Sequence, residues 1–246
     1  MKPIYEIDFS ALNAEEKFKF MRDLRDSMKA SFQEGSFPVQ LLAHTLIFTR
    51  WWNSYKHMAP NEPTPEILET VIELLWDFQE EKCDSETLAR FQKSFCDSAL
   101  EILTGDDGEL NEDSESRTFY QKHFHHWDAM SYVVFLSALC TVLGEAVSQK
   151  ITWDAVEEVV YADIGDTMIN FFDTVYKKDS DGYYPSELDR RQKETYDTPT
   201  FARVIALLQQ DMRTALKGIP LPELRAQYRN EYLFSPEESA KISDYR

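Results

Sequence analysis

Three of the five histidines fall in one short run, His123, His125, His126, Trp127 and Asp128. On a helix His123 and His126 share a face, so both imidazoles can reach one divalent cation, with Asp128 or a distant carboxylate completing the shell. The spacing is not HExxH and no second ligand pair accompanies it, and a plain cluster of histidines at a helix start gives the same pattern.

A second constellation is Asp163, Asp166, Asn170 and Asp173, whose spacing puts them on one narrow helical face. Val156, Val160, Ile164, Phe171 and Val175 lie well around the helix from that row, as on any amphipathic surface helix. Beyond that role, Asp163, Asp166 and Asp173 can form a docking strip for a cationic partner. With His123 and His126, Asp163 and Asp166 can also supply a metal site.

Glu66 and Glu69 form an ExxE pair and Asp163 and Asp166 a DxxD pair. The two patches resemble the magnesium-binding carboxylate pairs of helical nucleotide pyrophosphatases, which would imply a divalent-metal-dependent hydrolase of all-α type. The second pair is DxxD where that family has ExxD, and far more chain separates the pairs here. A calcium-loop reading of the segment around Gly182 fails. Asp179 and Asp181 fit, but Lys177 and Leu188 stand where the anchoring carboxylates belong.

Arg50, Trp51, Trp52 and Tyr55 combine residue types that anchor interfaces. Adjacent indoles point about 100° apart on a helix, so at least one of Trp51 and Trp52 is expected in the core. No GxSxG, Walker loop, dinucleotide fingerprint, kinase set or CxxC occurs, and no cofactor is implied.

The elements carrying these residues are expected to be helical throughout. Only 7 glycines occur among 246 residues, and helix start and stop signals abound. Asn13 and Glu16 form a capping pair for a helix with Phe18, Met21, Leu24 and Met28, ending near Gly35. Pro38 opens a second helix through Leu41, Leu42, Leu46, Ile47 and Trp51. Thr64 and Pro65 open a third with Ile67, Val71, Leu74, Leu75 and Phe78. Ser85 caps a fourth that runs to Gly105.

Residues 104–116, rich in acids and without hydrophobic periodicity, are the best boundary within what reads as one domain over 1–246. Arg117 to Gln149 reads as one long or one broken helix, and Thr152 caps another from Trp153 to Lys177. A polar loop is expected from Lys178 to Asp197. Thr198 and Pro199 then open a helix closed at Gly218, followed by two shorter helices, the last started by Ser235 and Pro236. The sum is an all-α irregular bundle of about eight to nine helices, in which hairpin pairs recur loosely.

With 44 acidic against 26 basic residues the net charge is −18, which disfavours direct nucleic-acid binding and anionic membrane surfaces. Cys83, Cys96 and Cys140 are too scattered for a disulfide framework and read as buried thiols of a reducing compartment. The apolar run Tyr132 to Gly144 falls short of the roughly 20 residues that span a bilayer. No secretory signal is apparent, so a cytoplasmic location is expected. The expected function is a non-enzymatic binding protein whose acidic surface engages and neutralises a cationic protein partner, as an immunity protein or antitoxin does with a nuclease-type toxin.

Overall fold

The structure, a computed structural model, describes residues 2–32, 35–55, 66–94, 129–157, 159–160 and 185–243. Among them the protein is an all-α multi-helix bundle without strands. Two 3-10 turns, Ile4–Glu6 and Phe9–Ala11, precede α1 (Ala14–Arg22), α2 (Leu24–Ser31), α3 (Phe37–Tyr55), α4 (Glu66–Gln79) and α5 (Ser85–Gln92). Then come α6 (Ala129–Ser148), the single turn α7 (Asp154–Glu157), α8 (Pro185–Tyr196), α9 (Pro199–Ala215), α10 (Leu221–Tyr228) and α11 (Pro236–Ser243).

Helix α3 is the axis of the bundle. Every residue from Leu41 to Ser54 is buried, because α4, α9, α10 and α11 all pack against it. A helix covered on every side must satisfy its polar side chains internally. Thr45 Oγ1 donates to the Leu41 carbonyl (3.0 Å), Thr49 Oγ1 to that of Thr45 (2.6 Å) and Ser54 Oγ to that of Arg50 (3.1 Å). The same hydroxyls receive donors from other elements. Gln79 Nε2 reaches Thr45 (2.6 Å), Trp76 Nε1 reaches Thr49 (3.0 Å), and the Leu233 amide reaches Ser54 (2.7 Å).

Arg50 makes the strongest of these ties. Its guanidinium grips Asp211 of α9 with two nitrogens (2.8 and 2.9 Å) and reaches Glu231 with the third (2.7 Å). The Tyr228 hydroxyl of α10 donates to the same Asp211 carboxylate at 2.5 Å. Burial opposes the Arg50 charge, but Asp211 raises its pKa above the ordinary value, whereas burial lifts the Asp211 carboxyl against the pull of Arg50. A charge pair this deep holds only because nearly every donor and acceptor around it is used.

The capping pair of α1 is present: the Glu16 amide donates to Asn13 Oδ1 and the Asn13 amide to the Glu16 carboxylate. The single helix expected from Asn13 to Gly35 is divided at Asp23 into α1 and α2, yet Met21, Leu24 and Met28 all stay buried. Asp84 rather than Ser85 caps α5, accepting from the Thr87 amide at 2.8 Å. Thr198 caps α9, and Ser235 and Glu238 cap α11 reciprocally.

Part of the polar loop expected over 178–197 is instead helix α8. Its sequence is too polar to show a stripe, but it needs little of one. Gln192, Thr195 and Tyr196 are buried, while Lys193 pairs with Glu15 of α1 (2.6 Å) and Arg190 with Glu194 (2.8 Å). Among the described residues no helix is long and apolar enough to cross a membrane. The expected course of 104–116, the first part of the Arg117 helix and the helix beyond Val160 lie outside the described residues.

Candidate functional site

Two helix ends in this bundle are built alike. At the end of α4 the Lys82 amide donates to the Asp77 carbonyl (2.8 Å) and the Glu81 amide to that of Phe78 (3.2 Å). At the end of α6 the Lys150 amide donates to the Glu145 carbonyl (3.1 Å) and the Gln149 amide to that of Ala146 (3.3 Å). Both are Schellman closures, which require a left-handed residue at the turn. Glycine is cheapest there, yet the sequence uses Glu81 (φ 58°) and Gln149 (φ 53°). A third left-handed residue, Gly218 (φ 65°), follows α9.

All three turns line one cavity of about 630 Å³. Its apolar wall comes from the start of α3 (Phe37, Pro38, Val39, Leu41, Leu42), from Phe78 of α4, and from Ala215, Ile219 and Leu221 at the α9–α10 join. The rim is polar: Gln79, Glu81, Cys83 and Asp84 on one side and Gln149 on another. The C-terminal ends of α4, α6 and α9 therefore meet the N-terminal ends of α3, α5 and α10 around an apolar hollow.

Electrostatically the rim is negative. Glu81 and Asp84 are the charged residues of the lining, and no Lys or Arg is among the lining residues. The Asp84 carboxyl is held below its ordinary value, first by the Thr87 amide. Lys82, Lys150 and Lys217 follow the helix ends but are exposed outside the cavity, and Lys82 is paired with Glu80.

Cys83, expected to be a buried helical thiol, is instead half-buried in the α4–α5 link. Burial and then the nearby Asp84 and Asp77 push its thiol pKa up, so it reacts more slowly than a free thiol while staying partly open to solvent. Cys140 is buried as expected.

A second, polar cavity of about 320 Å³ lies between α3, α4 and α10, lined by Trp52, Asn53, Trp76, Arg225 and Arg229 among others. The more buried of its two cations is already neutralised. Arg225 pairs with Glu73, Asp77 (2.7 Å) and Glu80 (2.8 Å).

Of the residues singled out from the sequence, Asp163, Asp166, Asp173, His123 and His126 lie outside the described residues. Trp51 and Trp52 are 3% and 1% exposed. They are core side chains and not a surface patch, because α3 is enclosed on every side. No group of three or more metal-ligating side chains occurs among the described residues. The cavity was not legible in the sequence. Its single signal, charged and amide residues at helix ends where glycine would be cheaper, emerges only once the ends are fixed.

No protein-family model matches the sequence, and comparisons with curated proteins and with solved structures give no match either.

Proposed function

We propose that this is a non-enzymatic binding protein that engages a cationic protein partner, with the apolar cavity under the rim of Glu81 and Asp84 as the contact centre. The observation that carries this reading is the placement of two carboxylates, Glu81 and Asp84, on the rim of an apolar hollow that no basic side chain lines. The net charge of −18 supports it, because a basic partner would be steered to such a surface. An apolar centre with a charged rim is the usual division of labour at protein interfaces, the centre supplying affinity and the rim orientation. Neutralisation of a basic toxin, as by an antitoxin, is the concrete form that this chemistry takes most simply.

The test is affinity purification at low salt from the native cell, followed by reconstitution with the purified partner. The partner should be strongly basic, and its Kd should weaken at least about ten-fold between dilute and moderate salt. An acidic or neutral partner, or an affinity indifferent to salt, would overturn the proposal.

A further inference from the structure

We infer that the cavity receives one face of an amphipathic, lysine- or arginine-bearing helix of the partner, its apolar side chains in the hollow and its basic ones on the rim of Glu81 and Asp84. This rests on the cationic-partner reading above and specifies the form in which the partner arrives.

Size supplies the first reason. A hollow of about 630 Å³ has room for more than one side chain, so a single projecting residue would leave much of the wall wet. A helix presenting residues at i, i+3, i+4 and i+7 delivers several apolar groups together.

The walls supply the second. Phe37, Leu42, Phe78, Ile219 and Leu221 belong to helices or their joins, and no strand edge occurs among the described residues. An extended peptide laid here would find no ladder for its amides and carbonyls, and leaving them unpaired against an apolar wall is costly. A helix brings its backbone already satisfied.

Charge supplies the third. Glu81 and Asp84 are the charged groups of the lining, and no Lys or Arg stands beside them there. An ammonium or guanidinium is favoured there and a carboxylate disfavoured, so an acidic amphipathic helix should be rejected.

The probe is a synthetic helix of leucine and lysine with one apolar face. Two control peptides accompany it, one with every lysine replaced by glutamate and one with the leucines scattered around the helix at equal charge. Binding is followed by fluorescence anisotropy, and Val39→Trp and Ile219→Trp fill the hollow from two different walls. The amphipathic lysine peptide should bind. Scattering its leucines, or either filling substitution in a variant that keeps a cooperative thermal transition, should weaken it at least about ten-fold. If both filled variants bind as well as the wild type while salt still weakens the complex, the helix-in-cavity inference is wrong and the cationic-partner reading stands. If the lysine peptides fail to bind at low salt, or the glutamate peptide binds equally, the cationic-partner reading falls as well.

Discussion

His44 Nε2 faces Glu145 Oε2 at 3.5 Å inside the core, joining α3 to α6, and neither atom has a hydrogen-bond partner. His44 Nδ1 lies 3.0 Å from the Gln40 carbonyl, which fixes the ring, and Trp153 stacks at a tilt 4.4 Å away. Glu145 Oε1 accepts from both the amide (2.7 Å) and the hydroxyl (2.5 Å) of Thr152. Nδ1–H donates to the Gln40 carbonyl, so Nε2 of the neutral ring is left as an acceptor facing a second acceptor, Oε2. The pair lies one helical turn behind Leu41 and Gln149, on opposite walls of the cavity.

Glu145→Gln should therefore be tolerated. Its amide can donate to His44 Nε2 while its carbonyl keeps both Thr152 donors, so urea unfolding should place it within about 1 kcal/mol of the wild type. Glu145→Ala strands the Thr152 amide and hydroxyl and should cost about 2–3 kcal/mol. Equal losses in the two variants would remove this hydrogen-bond scheme.

Stability should fall on mild acidification. Burial pushes the His44 imidazole below its ordinary 6.5, with Glu145 and the Gln40 carbonyl pulling the other way. As the pH drops through 6.5 the unfolded histidine takes a proton that the folded one resists, so the unfolded state binds more protons and gains. Unfolding free energies at about pH 7.5 and 5.5 should differ in that direction, and less so in His44→Phe. A wild type more stable at the lower pH would contradict this.

Removing one partner of the Arg50–Asp211 pair should be severe. Asp211→Leu leaves a buried guanidinium and the Tyr228 hydroxyl without their shared acceptor, a loss of about 3–5 kcal/mol. Arg50→Met combined with Asp211→Leu should regain part of that loss, read as a higher midpoint in urea than either single variant. Strict additivity of the two losses would show that the residues do not act as a pair.

The pattern of helix ends was largely legible because it is local chemistry. Asn13 with Glu16, Thr198 with Pro199 and Ser235 with Pro236 announce their helices by side chains that fill the first orphan amides. Helix α8 was illegible because its buried side chains Gln192, Thr195 and Tyr196 are mostly polar and show no apolar stripe. Arg50 was illegible as a core residue, since its carboxylate partners Asp211 and Glu231 and the Tyr228 ring beneath it lie far along the chain. The cavity is a property of six helix ends meeting, and no single stretch of sequence encodes it.

Glu81 offers a test in which stability and binding should move in opposite directions. It holds a left-handed conformation that costs a non-glycine residue about 1 kcal/mol, and it supplies charge to the rim. Glu81→Gly should raise the unfolding midpoint while weakening the amphipathic lysine peptide. A variant that gains stability and binds unchanged would take Glu81 out of the interface.

The most direct measurement uses the thiol already in the cavity wall. Cys83 lines the hollow and is half-buried, so its alkylation by a small neutral maleimide, followed by peptide mapping, reports whether the cavity is filled. Saturating amphipathic lysine peptide should slow modification of Cys83 by about ten-fold or more, and moderate salt should restore the rate. An unchanged rate under saturating peptide would contradict the claim that the cavity is where the cationic partner binds.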